Sequence, residues 1–226
     1  MSLPWCGLNT SVLVEIWSDV VCPWCYIGKR RFEAALARFA HNGDVEVVWR
    51  SFELAPDAPA VRGGDLSSHL ARKYGMSAER ADGAVANLTE QAAAEGLAYR
   101  LDIASGGNTF DAHRLLHLAA HHGLQDQLKE RLLAAYFTEG VAIGLPENLA
   151  ALAVEVGLDA DEVKRVLSTD AYGDAVRADE ERARTLEIHA VPSFVINNAF
   201  IVPGAQDPDT LLRILDKAWD RAEASG

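Results

Sequence analysis

The sequence predicts an α/β fold whose sheet is interrupted in the chain by a long all-helical insertion. Three observations lead there: a strand, helix, strand run near the start, a stretch from about residue 65 to about residue 173 with no strand-like segment, and a short hairpin followed by a helix at the end.

The first strand is "SVLVEIW", Ser11 to Trp17, a β-branched apolar run of the kind buried in a sheet. The pattern then changes period, because Phe32, Leu36 and Phe39 recur at i, i+4, i+7 as on an amphipathic helix, and "HNG" stops it. "DVEVVWRSFEL", Asp44 to Leu54, alternates apolar and polar residues and reads as a second strand. A strand, helix, strand unit of this length makes the two strands parallel neighbours.

Past "APDAPAVRGGD" only helical patterns follow. Gly75, Gly96, Gly123 and Gly157 stand where C-terminal caps belong, Leu128, Leu132, Ala135 and Tyr136 form one apolar face, and Pro146 suits a first helical turn. Asp159 with Glu162 three residues on reads as a capping box. A charged helix, "DAVRADEERARTLEI", leads into "VPSFVINNAFIV", two short strands around an Asn-Asn turn. Asp207 and Pro208 open a last helix with Leu211, Leu212, Leu215 and Trp219 on its inner side. This element order is that of a thioredoxin fold, with a thioredoxin-like domain at 10–62 and 174–226 and a helical insertion domain at 63–173.

Composition narrows the function. The chain has 226 residues, 49% of them hydrophobic, so it buries a substantial core. Its 21 Lys plus Arg stand against 33 Asp plus Glu, and the net charge of -12 repels nucleic acid and anionic membranes. No run approaches the roughly 20 apolar residues of a spanning helix, and the first residues lack the features of a signal peptide. A cytoplasmic protein is expected.

Cys22 and Cys25 form a C-x-x-C pair, and Cys6 is left over as an incidental thiol. In a reducing compartment such a pair is more often catalytic or metal-binding than structural. Zinc needs two further ligands at comparable spacing, and no second C-x-x-C or C-x-x-H exists in the chain. A structural disulfide closing so short a loop restrains little chain entropy. The position favours redox chemistry: with a strand ending before Cys22 and a helix starting there, free N–H groups and the helix dipole point at its sulfur and favour the attacking thiolate. Pro23 fits the first helical position, and Cys25 lies one turn further in, within reach of Cys22 but shielded.

Pro192 immediately precedes the third strand, where a thioredoxin fold holds a cis proline facing its cysteines, and the Val191 backbone could pair with an extended substrate there. An ordinary trans proline opening a strand is the alternative. Other groups carry a functional and a bland reading side by side. His113, His117 and His121 at i, i+4, i+8 form a metal-binding spacing, but without a carboxylate at ligand spacing they are read as hydrogen-bonded or solvated histidines. Glu15 and Asp19 could accept a proton from Cys25, though exposed carboxylates beside a strand are the more expected. His189 stands close enough to Pro192 to influence the thiolate, but a redox-neutral loop histidine is favoured. Lys29, Arg30 and Arg31 are assigned to the solvent face of their helix.

"VCPWCYIGKRRFEAAL", "NTFDAHRLLHLA" (Asn108 to Ala119), "YFTEG" and "VPSFVINNAFIVPGAQ" together resemble the FrnE-like branch of the DsbA family of thiol-disulfide oxidoreductases, over about Val12 to Trp219. The resemblance implies Cys22 as nucleophile, Cys25 as resolving cysteine and Pro192 as the cis proline, with Asn108, His113 and Arg114 shaping the cleft wall. It implies no bound cofactor. The redox element is a Cys22–Cys25 disulfide, glutathione is a candidate co-substrate, and the partners are a disulfide or dithiol substrate and a recycling partner. Trp24 stands where strongly oxidising members carry histidine, and Ser193 replaces a bulkier residue, which implies a wider groove.

Two rival readings remain. Kappa-class glutathione transferases and 2-hydroxychromene-2-carboxylate isomerases resemble the same inserted architecture, but typically place serine where Cys22 stands. A chaperone-like module would use the cleft for binding alone.

Overall fold

The computed structural model describes residues 10–62 and 66–224. Cys6 lies outside the described residues. The first strand, β1 (Val12–Ser18), leads through a turn into α1 (Pro23–Arg38), and a 3-10 turn at Asn42–Asp44 precedes β2 (Val45–Ser51). Six helices come next: α2 (Leu66–Tyr74), α3 (Ala78–Ala94), α4 (Phe110–His121), α5 (Gln125–Phe137), α6 (Pro146–Glu155) and α7 (Ala160–Ser168). The chain closes with α8 (Gly173–Thr185), β3 (Ser193–Ile196), β4 (Phe200–Pro203) and α9 (Pro208–Glu223). The fold is the α/β thioredoxin fold with a helical insertion that the sequence predicts.

The four strands lie in the order β2-β1-β3-β4. β1 runs parallel to β2, with Val12 opposite Val45, and antiparallel to β3, with Ile16 opposite Phe194. Alternation along β1 sorts its side chains. Val12, Val14 and Ile16 point into a core with Phe32, Phe39, Phe194, Leu215 and Trp219 from α1, β3 and α9. Trp17 points the other way, against Ala183 and Val195 beneath α8, and its indole N–H donates to the Asp179 carbonyl at 2.9 Å. Asn197 and Asn198 both take the left-handed conformation, at φ 49° and 54°, the pair of angles a two-residue hairpin turn requires.

The helical insertion has its own apolar core around Leu115, Leu128, Leu132, Phe137, Leu149 and Val163, and Val20, Tyr26 and Ile27 from the thioredoxin part pack into it. The start of α1 is therefore clamped between the two cores. Two expectations are corrected here. Glu15 and Asp19 are buried rather than exposed, because α8 and α4 cover the end of β1. Lys29 is buried, and Arg30 and Arg31 are half-buried, because α1 faces the insertion instead of solvent. Lys29 pairs with Glu33, with Asp126 at 3.3 Å and with Glu130 at 3.1 Å, while Arg31 reaches Glu95 at 2.6 Å. Paired on several sides, these cations are tolerated where a lone charge would be costly.

Candidate active site

Cys22 is the N-cap of α1 and Pro23 occupies the first turn, so the helix begins where the spacing of the motif predicts. Its φ of -89° and ψ of 114° are extended, which turns the Cys22 side chain past the open N–H groups of the first turn. The Cys22 N–H donates to the Asp19 carbonyl at 3.3 Å, and the Tyr99 hydroxyl donates to the Pro23 carbonyl at 2.7 Å, tying the helix start to both parts of the chain. Cys22 is 5% exposed and lies on the cleft, whereas Cys25 is 1% exposed and does not.

The Val191–Pro192 peptide is cis. Cys22 Sγ stands 3.4 Å from the Val191 carbonyl, to which its thiol donates. The close approach of α1 to Pro192 depends on Gly28, since a Cβ there would come within 2.9 Å of Pro192 Cγ. Ser193, expected to widen the groove, is buried, and its hydroxyl donates to the Ala190 carbonyl at 2.8 Å.

Beneath the cysteines lies a set of buried ionisable groups. Asp19 accepts the Leu54 N–H at 2.8 Å on Oδ2, and its Oδ1 faces His113 Nε2 at 3.4 Å. Burial pushes the Asp19 carboxyl up, but the adjacent His113 ring, the Leu54 N–H and the Lys129 charge together hold it below its ordinary value. Lys129 is fully buried with Nζ 3.4 Å from the Ser18 carbonyl, and burial pushes it down to about 8 against the pull of Cys25 and Asp19. Glu53 reaches Arg177 at 2.7 Å, and burial raises its carboxyl despite that partner.

The two thiols share this environment. The hydrogen bond between their sulfurs, then burial, push Cys22 well above the ordinary thiol range. For Cys25, burial is outweighed by that same bond and by Lys129, so the pair releases its first proton below the ordinary range.

The cleft above them encloses about 910 Å³ and runs from Cys22 and Trp24 to α2 and α3, with Tyr136 and His189 to Val191 on its sides. The sequence brings Cys22, Cys25, Pro23, Trp24, Val191, Pro192 and His113 to this region. Asn108 does not itself line the cleft; its side-chain N–H donates to the Pro56 carbonyl at 2.8 Å. Arg114 is a correction: it does not line the cleft but donates to the Val166 carbonyl at 2.6 Å and to those of Thr169 and Ala171, closing the end of α7. The histidine row separates as well, His117 meeting Ser51 at 3.1 Å and Asp179 at 3.2 Å while His121 packs on Tyr172. No group of three or more His, Cys, Asp or Glu side chains that could hold a metal ion occurs among the described residues.

Lys129 and Glu53 were missed by the sequence reading. The signal for Lys129 was available, because Gln125, Leu128, Lys129, Leu132 and Leu133 follow the i, i+3, i+4, i+7, i+8 spacing of a buried face.

A cysteine pair at a helix start, opposed by a cis proline on a four-stranded sheet, defines a member of the thioredoxin superfamily. Residues 13–216 match the family model of the DsbA-like thioredoxin domain, and the chain belongs to that family. It is 31% identical over 204 residues to the uncharacterised protein YwbO of Bacillus subtilis, covering 88% of this chain and 93% of that protein. The crystal structure of a probable DsbA oxidoreductase from Streptomyces coelicolor is similar at a TM-score of 0.88 and 47% identity, covering 92% of this chain and 90% of that one. The cytosolic disulfide reductase DsbM from Pseudomonas aeruginosa, in a structure with GSH, shares the fold at a TM-score of 0.63 and 16% identity, over 91% and 98% of the two chains.

Proposed function

We propose that the protein is a cytoplasmic dithiol-disulfide oxidoreductase of the FrnE-like branch, with Cys22 attacking and Cys25 resolving. The observation that carries this reading is the division of the pair: Cys22 opens on the cleft beside the Val191 carbonyl, while Cys25 is held behind it near Lys129. The first charge on the pair is favoured at Cys25, and transfer of the remaining proton from Cys22 to Cys25 leaves the attacking thiolate at the sulfur a substrate can reach.

In the reducing direction the Cys22 thiolate attacks one sulfur of a substrate disulfide. A Cys22–substrate disulfide forms, and the other substrate sulfur leaves as a thiolate and takes up a proton. Cys25 then gives up its proton, attacks the Cys22 sulfur and expels the second substrate thiol. The substrate gains two electrons and the pair becomes a disulfide; the oxidising direction runs the same steps backwards. Lys129 stabilises the Cys25 thiolate during resolution, and Asp19 sets the local field.

A glutathione redox titration of a Cys6→Ser variant, followed by intact mass, tests the reading. Loss of two hydrogens with a definable potential is the expected result. A stable glutathione adduct on Cys22 would move the assignment to the glutathione transferases and isomerases, and no redox change would move it to a binding module. A Cys25→Ser variant should accumulate the mixed disulfide on Cys22.

A further inference from the structure

Across the cleft from Cys22, α2 presents Leu66, His69, Leu70, Lys73 and Tyr74 along one side, at i, i+3, i+4, i+7, i+8. No residue of this helix is fully buried, and it packs mainly on α3; Leu66 touches the insertion core at its edge, and Leu70 lines the cleft. Arg62, just ahead of it, lines the same wall and is anchored by its N–H to the Gly106 carbonyl at 2.6 Å.

Among the described residues, the cations on this wall are free of the ion pairs that hold many others in the molecule. Lys29, Arg31, Arg50, Arg131 and Arg177 each meet a carboxylate. Among the described residues no ion pair forms at Arg62 or Lys73, although the chain carries a net charge of -12. Burial and then the proximity of Arg62, Lys73 and Arg72 disfavour the protonated form of His69, which places several cations around one point. Among the described residues the cleft's carboxylates do not answer them: Asp19 is turned to His113 and the Leu54 N–H, and Glu53 to Arg177.

We propose that this wall is a subsite for the non-reacting part of a small disulfide or thiol that carries a carboxylate, with Arg62 and Lys73 receiving the anion while Leu66 and Leu70 cover the apolar portion. The inference rests on the oxidoreductase reading and adds the substrate's charge and size to it. A cleft of about 910 Å³ suits a small molecule, and pockets for such ligands span roughly 300–1,000 Å³. The reaction is that described above, with both substrate sulfurs leaving as thiols and the protein's dithiol supplying the two electrons.

The test has a sign that general electrostatics cannot imitate. A protein of net charge -12 whose attacking group is a thiolate repels anions, so without a subsite a cationic disulfide reacts fastest. Second-order rates of oxidation of the reduced Cys6→Ser protein are measured with three probes of similar size: anionic 3,3′-dithiodipropionate, neutral 2-hydroxyethyl disulfide and cationic cystamine. The expected result is that the anion outruns the cation about tenfold at low salt and that salt erodes the difference. In an Arg62→Gln/Lys73→Gln variant, checked for the native thermal transition, the anion-to-cation ratio should invert.

Cystamine reacting fastest with the unaltered protein, or an anion preference that survives the double substitution, would overturn the subsite. An anion preference seen only when the anionic disulfide sits in a polypeptide would overturn the small-molecule assignment. The neutral probe separates the redox chemistry from the charge preference. If it fails to form the Cys22–Cys25 disulfide, the oxidoreductase reading itself fails; if it succeeds and the charges are not discriminated, only the subsite does.

Discussion

His113 on α4 and Asp19 at the end of β1 face each other across the two halves of the chain, with Nε2 3.4 Å from Oδ1 and both side chains shut off from solvent. The contact joins the helical insertion to the strand that delivers Cys22. With the Leu54 N–H on its other oxygen, Asp19 also fixes the loop leaving β2.

That geometry sets an acid limit on stability. Burial alone would raise the Asp19 carboxyl, but His113, Leu54 and Lys129 more than offset it and hold it low. A carboxyl lowered in the folded state contributes stability that is present above its unfolded value and lost as pH falls through the folded one. Urea unfolding should therefore show a loss below about pH 4 that an Asp19→Asn variant lacks, and at neutral pH the variant should be less stable by about 1–3 kcal/mol. Equal acid slopes in the two proteins would mean that Asp19 is not the controlling group.

Lys129 acts on the thiols through the protein interior, where screening by salt is weak. Replacing it by methionine removes a cation that favours the Cys25 thiolate and leaves the volume filled. The first ionisation of the pair, read from ultraviolet thiolate absorbance, should rise by about one unit, and alkylation of Cys22 at neutral pH should slow several-fold. Stability should hold or increase, because a buried ammonium pushed down to about 8 is itself unfavourable. An unchanged titration would assign Lys129 a packing role only.

The positions of Cys22, Cys25 and Pro23 were legible in the sequence because they follow local rules, a strand end, a helix start and a first-turn proline, whereas the cis Pro192 was legible only from the C-x-x-C and the element order taken together. The same holds for the Asn197–Asn198 turn and the cap at Asp159, which accepts the Asp161 and Glu162 N–H groups at 3.0 Å. What stayed hidden was set by which helix covers which surface. Lys29 looked solvent-facing because α1 alone shows a charged stripe, and only the approach of α5 with Asp126 and Glu130 buries it. Arg114 sits in the stretch from Asn108 to Ala119 that carries part of the family resemblance, yet its guanidinium is taken up by carbonyls at the end of α7, a partner some 52 residues away in the chain.

Gly28 offers a steric test of the site. A methyl group there would stand 2.9 Å from Pro192 Cγ, and neither the α1 backbone nor the proline ring can yield easily. Gly28→Ala should cost about 1–3 kcal/mol, as overpacking does. Because the displaced ring adjoins Val191, whose carbonyl lies 3.4 Å from Cys22 Sγ, the rate of disulfide exchange should fall together with the melting temperature. Full exchange activity in a destabilised variant would separate the Pro192 contact from the chemistry.

Trp24 bears on the direction of electron flow. It lies between the two cysteines in sequence, is 39% exposed at the mouth of the cleft, and brings bulk without charge to the side of Cys22. An imidazolium in its place would stabilise the reduced, thiolate-bearing form and leave the disulfide form unaffected, so the disulfide should become the stronger oxidant. The exposed position leaves room for the smaller ring without repacking. Trp24→His should thus lower the first thiol ionisation by about one unit and raise the reduction potential by roughly 30 mV for each tenfold change in the dithiol–disulfide equilibrium, read against glutathione. If the potential does not move while the ionisation does, the charge beside Cys22 is stabilising both redox forms equally, and the tryptophan does not tune this site.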